Sequence, residues 1–146
     1  MYKWAVRRMI RRNVRALAGG DPGPLLAGYA EGAVLVFPGE STWSGEHRGK
    51  GAIEAFLRRF LEVGIVGEVH EILVNGPPWR TTVCVLFSDQ LVDATGTKVY
   101  ENRAVLFGRI VWGKIVYHED FEDTQKVAAL DRYLAQRELS GASGSG

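Results

Sequence analysis

The second half of the chain consists almost entirely of four long apolar runs that are separated by short turns. The runs cover residues 66–74, 81–92, 99–110 and 115–121, and Gly76-Pro77-Pro78, Thr95-Gly96 and Trp112-Gly113 lie between them. Apolar, β-branched and aromatic runs bounded by Gly and Pro are typical of strands joined by hairpins. We therefore predict a meander of four antiparallel strands.

Helices and one further strand are predicted around this meander. Apolar residues at helical spacing predict helices over residues 2–18, 50–63 and 124–139, and Asp21-Pro22 begins a short helix that reaches about Tyr29. Residues 33–37 form an apolar strand, and residues 38–45 form a loop rich in turn formers. This order predicts an α+β fold, in which a curved antiparallel sheet forms a cone covered by N-terminal helices, with a C-terminal helix.

Length and charge limit the possible functions. The 146 residues suit a single domain over residues 1–139, followed by a flexible Gly/Ser tail over residues 140–146. The 18 Lys and Arg nearly balance the 17 Asp and Glu, so we expect neither nucleic acid nor a membrane as partner. No run approaches the length of a membrane span, and a cytoplasmic protein is expected.

The first predicted helix has a strongly basic face, formed by Arg7, Arg8, Arg11, Arg12 and Arg15. We interpret this face as the ordinary solvated side of an amphipathic helix. An anion site or a partner surface is the alternative interpretation.

A histidine and four carboxylates lie in the run of residues 113–124. Strand alternation places Val116, His118, Asp120 and Glu122 on one face, and Ile115, Tyr117, Glu119, Phe121 and Asp123 on the other. A carboxylate inside an apolar cavity can act as a general base or acid near neutral pH. This run is therefore the first candidate for a catalytic site.

The chain resembles the nuclear transport factor 2-like superfamily, which includes ketosteroid isomerases, limonene epoxide hydrolases and SnoaL-like polyketide cyclases. The resemblance spans about residues 13–124 and lies in Leu17-Ala18-Gly19-Gly20-Asp21 with Tyr29-Ala30-Glu31-Gly32-Ala33-Val34, in Gly45-Glu46-His47-Arg48-Gly49-Lys50-Gly51-Ala52-Ile53, and in Gly113-Lys114-Ile115 leading into Asp120-Phe121-Glu122-Asp123-Thr124. It implies a cone with an apolar pocket and, because relatives often pair, a homodimer through the outer face of the sheet.

Most catalytic residues of the isomerases and epoxide hydrolases have no counterpart here. Asn13, Phe37 and about Val105 stand where the isomerases have a tyrosine and two aspartates. The epoxide hydrolases have an Arg-x-Asp pair on a middle strand, near which this chain offers Cys84, Leu86 and Ser88. Their last-strand aspartate is matched by Asp120.

The SnoaL-like branch is the most similar, because its mechanism centres on one last-strand acid that removes a carbon-bound proton. Asp120 matches that acid, and His118 on the same strand face is placed to stabilise an enolate or to tune the acid. The alternative is that Asp120 is a hydrogen-bonded or helix-capping acid and that His118 is part of the pocket wall.

Further side chains are expected to bind a hydrophobic small molecule. Trp4 and Trp79 come from elements expected to close or line the cone, and either Asn102 or Arg103 points inward. The three histidines share no metal-ligand spacing, so neither a metal nor another cofactor is expected. The expected ligand-binding residues are Asn13, Tyr29, Phe37, Trp43, Phe56, Phe60, Asn102 and Val105.

Two functions follow. The first is a cofactor-independent enzyme that uses Asp120 as a general base to isomerise, cyclise or hydrolyse a hydrophobic, cyclic or polyketide-like substrate. The second is a non-catalytic module of the same fold that binds a small ligand or dimerises.

Overall fold

The computed structural model describes residues 1–143 and contains four helices and six strands. The helices are α1 (Tyr2–Ala18), α2 (Gly23–Gly28), α3 (Lys50–Val63) and α4 (Thr124–Ser143). The strands are β1 (Tyr29–Phe37), β2 (Gly45–Arg48), β3 (Val66–Asn75), β4 (Thr81–Val92), β5 (Lys98–Val111) and β6 (Lys114–Glu122). The predicted α+β class is confirmed, and the predicted bounds of α1, α3 and β4 match the structure.

The strands form one curved, open sheet in the order β2-β1-β6-β5-β4-β3. Neighbouring strands are antiparallel except β1 and β6, which are parallel. The last strand of the chain therefore lies in the middle of the sheet. Its His118 is opposite Leu35 of β1, and its Asp120 is opposite Leu106 of β5.

The helices bury one face of the sheet through two apolar clusters. One cluster lies at α3 and α4 and includes Leu35, Ile53 and Leu130, whereas the other lies under α1 and includes Val6 and Ile110. A fully buried side chain of this size contributes about 1.5–3 kcal/mol through removal of apolar surface from water. Helix packing on the sheet thus creates both the core and the interior in which a site can lie.

A polar anchor holds α4 over the loop between β1 and β2. The carboxylate of Asp131 accepts hydrogen bonds from the backbone N–H and the hydroxyl of Thr42, both at 2.8 Å, and from the indole N–H of Trp43 at 3.1 Å. The guanidinium of Arg59 lies 3.9 Å from the centre of the Trp43 ring. These contacts join α3, the loop and α4 over one end of the sheet.

Several predicted boundaries were wrong. β1 begins at Tyr29 rather than at residue 33, and β2 was missed because its four residues have no apolar alternation. α4 continues through Ser143, so residues 140–143 are helical rather than part of the predicted tail; residues 144–146 lie outside the described residues. Among the helices of residues 1–143, none combines the length and apolar character needed to cross a membrane.

A register shift in β6 also changes the predicted faces. Ile110 and Arg109 of β5 pair with Ile115 and Tyr117, so the intervening residue of β6 has no partner. Such a bulge reverses the alternation on one side of it. Ile115 therefore packs against the interior, although simple alternation placed it on the outer face with Tyr117.

The turn between β5 and β6 contains a residue in an unfavourable backbone conformation. Trp112 has φ 48° and Gly113 has φ 81°, and positive φ at both central residues is the requirement of a type I′ turn. A bulky residue in this conformation is an outlier, whereas Asn is common there. Trp112 is 70% exposed, and its ring lies 5.8 Å from that of Trp79.

We expect Trp112→Asn to raise the free energy of unfolding by about 0.5–1 kcal/mol, because Asn adopts positive φ more readily than Trp. Urea denaturation of both proteins measures this difference. Trp79→Asn is the matched control, since it removes the same ring contact at a residue without positive φ. A fall in stability for Trp112→Asn that equals the fall for Trp79→Asn would contradict the expectation.

Candidate functional site

A cavity of about 90 Å³ lies between the interior face of the sheet and the helices. Its wall is mostly aliphatic and aromatic, and its polar side chains are concentrated on the sheet at Asp89, His118, Asp120 and Glu122. Binding pockets commonly combine an apolar wall with a few polar groups in this way.

A second cavity of about 80 Å³ adjoins the first. The two share Val14, Leu25, Leu106 and His118 as wall residues, so they are adjacent spaces under the same helices. We call them the acid lobe, which contains Asp120, and the helix lobe, which is lined by α1, α2 and the ends of β4 and β5. His118 belongs to both lobes.

A chain of hydrogen bonds connects Tyr29, His118 and Asp120. The hydroxyl of Tyr29 lies 2.6 Å from Nδ1 of His118, and Nε2 of His118 lies 2.5 Å from Oδ1 of Asp120. Tyr29 is fully buried, and burial, followed by the negative charge of Asp120, raises its pKa far above the ordinary value. When the protonated phenol donates to Nδ1, the imidazole carries its proton on Nε2 and donates it to Asp120.

Two further carboxyl groups face the acid lobe. Glu122 is opposite Ala104, which in turn is opposite Phe87 of β4, and Asp89 is one inward-facing position beyond Phe87. Because Ala104 is small, the centre of this row leaves space between the two acids. Asp89 and Glu122 therefore line the same cavity as Asp120.

The acid lobe raises the pKa values of Asp89 and Glu122. Burial raises the pKa of Asp89 to about 7, and the charge of Asp120 adds to the shift. Burial raises the pKa of Glu122 to about 9, with further contributions from the charges of Asp89 and Asp120. Glu122 is therefore protonated at neutral pH, and Asp89 is near its midpoint.

Two buried polar atoms along the cavity walls have no hydrogen-bond partner within residues 1–143. They are Oδ1 of Asp89 in the acid lobe and Oδ1 of Asn13 in the helix lobe. Buried polar atoms are rarely left unpaired, so each is a point where a bound water or ligand would be stabilised. The acid lobe can therefore supply the hydrogen-bonded carboxylate of Asp120 as a base and the protonated carboxyl of Glu122 as a donor.

Most predicted ligand-binding residues lie on the two lobes. Phe37, Trp43, Phe56 and Phe60 line the acid lobe together with the predicted catalytic pair, while Asn13 and Tyr29 line the helix lobe.

Asn102 and Val105 lie elsewhere. Asn102 is buried, but its amide donates to the hydroxyl of Tyr100 and to the carbonyl of Asp123, and it lines neither lobe. Arg103 is exposed, so Asn102 is the inward residue of that pair. Val105 alternates with the inward Ala104 and lies on the outer face of the sheet.

The prediction for the middle strand was also wrong. Cys84, Leu86 and Ser88 alternate with the inward residues of β4, so the cavity meets Phe87 and Asp89 instead. The apolar run 83–87 shows no alternation that would identify the inner face, and sequence analysis therefore missed Asp89. The only usable signal was the carboxylate of Asp89 at the end of an apolar strand. Trp4 and Trp79, expected near the cone, are exposed.

No group of three or more His, Cys, Asp and Glu side chains in residues 1–143 is arranged to hold a metal ion.

Comparison with solved structures finds the same architecture in other proteins. Bal32a, from a soil-derived mobile gene cassette, is 20% identical with a TM-score of 0.67, and the match covers 86% of this chain and 93% of that one. An NTF2-like protein of unknown function from Burkholderia pseudomallei is 20% identical with a TM-score of 0.68, covering 86% and 95%. A putative calcium/calmodulin-dependent protein kinase II association domain from Xanthomonas campestris is 21% identical with a TM-score of 0.63, covering 80% and 84%.

Sequence comparison gives the family. A search of curated proteins found no significant match. Residues 10–118, which include the second half of α1, the sheet as far as His118 and most of the acid lobe, match the SnoaL-like domain. The chain therefore belongs to the SnoaL-like domain family, and it has the fold of the NTF2-like proteins.

Proposed function

We propose that this protein is a cofactor-independent enzyme in which Asp120 acts as a general base on a small apolar substrate. The observation that carries the proposal is the position of Asp120, which is 7% exposed in an apolar lobe and shares it with Asp89 and Glu122. A carboxylate base next to the protonated Glu122 provides a base and an acid in one site.

The reaction that fits these groups best is removal of a proton from a carbon next to a carbonyl. The carboxylate of Asp120 takes the proton, and the electron pair of the C–H bond moves to the carbonyl oxygen as an enolate. A protonated Glu122 or Asp89 donates a hydrogen bond to that oxygen. Return of the proton to another carbon completes an isomerisation, whereas attack of the enolate carbon on a second carbonyl forms a ring.

His118 and Tyr29 have a positioning role in this proposal. The N–H of His118 holds one oxygen of Asp120, and the hydroxyl of Tyr29 fixes the imidazole tautomer. Fixed orientation of a base toward the bond that it breaks lowers the entropic part of the barrier.

Hydrolysis of an epoxide is less well supported. The inward pair on β4 is Phe87-x-Asp89, so an aromatic ring stands where the epoxide hydrolases have arginine. A Cβ on Gly67 would lie 2.0 Å from Cζ of Phe87, which means that the ring packs directly on the backbone of β3. This part of the wall is therefore apolar and supplies no cation to an epoxide oxygen.

The volume of the lobes limits the substrate. An engineered cavity of about 150 Å³ holds one benzene molecule, and each lobe here is smaller. We therefore propose a substrate with a single ring, or one ring of a larger molecule, that occupies the acid lobe with displacement of wall side chains such as Leu106.

The first test is exchange of carbon-bound hydrogen with solvent deuterium in small cyclic ketones, followed by NMR. We expect the protein to accelerate exchange at the carbon next to the carbonyl and Asp120→Asn to reduce the acceleration about 10²–10⁴-fold, because the base is removed. Asp123→Asn is the matched control, since Asp123 binds the first turn of α4 and does not line the lobe. Equal exchange rates for wild type and Asp120→Asn would refute the proposed role of Asp120.

The buried acids also predict how stability depends on pH. Asp89 and Glu122 bind protons more tightly in the folded state than at their ordinary pKa values of 3.8 and 4.5. Stability is therefore highest below those values and is lost as the pH rises toward their folded-state pKa values of about 7 and about 9, by up to about 1.4 kcal/mol per pH unit for each group.

We expect Glu122→Gln to remove most of the loss above pH 7, since the amide carries no proton that ionises in this range. Urea denaturation at a series of pH values measures the effect, and Glu119→Gln provides a control on the outer face of the same strand. A wild-type stability that rises between pH 5 and pH 9 would contradict the assignment of both pKa shifts.

A second candidate function is an assembly module, with or without a ligand. The outer face of the sheet carries an apolar row in which Leu86, Val105 and Phe121 are neighbours on three adjacent strands. Leu86 is 40% exposed and Phe121 is 52% exposed, and exposed apolar surface of this kind often marks an interface. The similar chain from Xanthomonas is described as an association domain. We propose that a second copy of this chain covers the row.

We expect Leu86→Asp to convert a dimer into monomers, because two-fold pairing would place each new charge in an apolar interface. Sedimentation equilibrium measures the change in mass. Leu139→Asp, which adds the same charge at an exposed residue of α4, should leave the dimer intact. A wild-type protein that is monomeric at all concentrations would contradict this proposal without affecting the proposed role of Asp120.

A further inference from the structure

Three tryptophans are exposed, and contacts between their elements place them at one end of the molecule. Trp4 is 60% exposed, Trp79 57% and Trp112 70%. The hydroxyl of Tyr2 in α1 hydrogen-bonds to Thr81 at the start of β4.

The two hairpin turns are joined as well. The backbone N–H of Trp112 donates to the carbonyl of Pro78 at 2.7 Å. The first turn of α1, the turn between β3 and β4 and the turn between β5 and β6 therefore lie together. We call this part of the molecule the tryptophan end.

The segments that build this end carry only positive charge. Residues 1–20, 72–84 and 107–118 contain none of the 17 Asp and Glu. They contain nine of the 18 Lys and Arg: Lys3, Arg7, Arg8, Arg11, Arg12, Arg15, Arg80, Arg109 and Lys114. The net charge of the whole chain is close to zero, although these three segments carry a large excess of positive charge.

The cations of α1 are not neutralised within the described chain. None of them forms an ion pair with a carboxylate of residues 1–143. Arg7 donates to the carbonyl of Ile72, and the guanidinium of Arg8 lies 5.3 Å from the centre of the Trp4 ring. The helix therefore presents cations next to an exposed indole.

We propose that the tryptophan end docks on an anionic lipid surface. Tryptophan rings are favoured at the boundary between lipid and water, and basic side chains next to them are attracted to anionic headgroups. The indoles of Trp79 and Trp112 enter the headgroup layer, while α1 contributes positive charge along the surface. Docking of this kind is peripheral and needs no membrane-spanning element.

The exposed apolar residues and the charge of this end favour lipid over other partners. Val111 and Met1 at the same end are exposed and apolar, which suits insertion between lipid headgroups better than contact with a phosphate backbone. A second copy of this end carries the same positive charge, so pairing of two copies here would bring like charges together. Trp112 also occupies a positive-φ position for which Trp is a poor choice, and a backbone outlier of this kind on an exposed side chain is typical of a functional contact.

The test is binding of the full chain to vesicles of phosphatidylcholine with and without phosphatidylserine, measured by co-sedimentation and by tryptophan emission. We expect binding only to the vesicles that contain phosphatidylserine, a shift of the emission to shorter wavelength, and weakening at high salt. Trp112→Asn, which relieves the backbone cost, should weaken binding although the protein remains folded.

Charge variants separate the two contributions. Arg8→Gln with Arg12→Gln should weaken binding about fivefold for each charge removed. Arg132→Gln with Arg137→Gln removes the same charge from exposed residues of α4 and should have no such effect. Val92→Asn, at an exposed residue where β4 ends, controls for loss of exposed apolar surface.

Three results would overturn the proposal. The first is equal binding to neutral and anionic vesicles, or none to either. The second is tighter binding to a DNA duplex than to anionic vesicles, which would assign the surface to nucleic acid. The third is a change in oligomeric state for Trp112→Asn without lipid, which would assign the end to contact between copies.

Discussion

The position of β6 between β1 and β5 is the constraint on which the rest of the structure depends. Because β6 pairs with β1 on one edge and with β5 on the other, both of its edges are hydrogen-bonded within the sheet. His118 and Asp120 thereby lie in the middle of the sheet, on the wall of the acid lobe. The helices then need only cover the sheet to enclose these polar groups in apolar surroundings.

Polar groups remain in this interior because each is either paired or uncharged. A lone buried carboxylate would be strongly destabilising, so Asp120 depends on the N–H of His118, which depends in turn on Tyr29. Glu122 avoids most of that cost at neutral pH by keeping its proton, and Asp89, which is near its midpoint there, avoids part of it. The pairing and the protonation that allow these carboxyl groups to be buried also place a base next to an acid.

The fold was largely predictable from the sequence, and the site was predictable only in part. Apolar residues at helical spacing identify α1 and α3, because only one side of each helix is buried. The turn residues between the strands identify the meander. β4 is apolar on both faces, so the inward position of Asp89 leaves no such signal. The bulge beside Ile115 and the partners of Asn102 depend on pairing between strands, which local pattern does not encode. The separation of charge at the tryptophan end depends on which segments meet in space.

Direct titration of Asp89 and Glu122 tests the central claim, that two buried acids with raised pKa values lie beside Asp120 in one lobe. Carboxyl-carbon NMR of the full chain, with Glu122→Gln and Asp89→Asn for assignment, measures each group separately. The account predicts pKa values of about 7 for Asp89 and about 9 for Glu122, both lowered when Asp120→Asn removes the neighbouring charge. Titration of both groups near the ordinary value of about 4, with no response to Asp120→Asn, would contradict it.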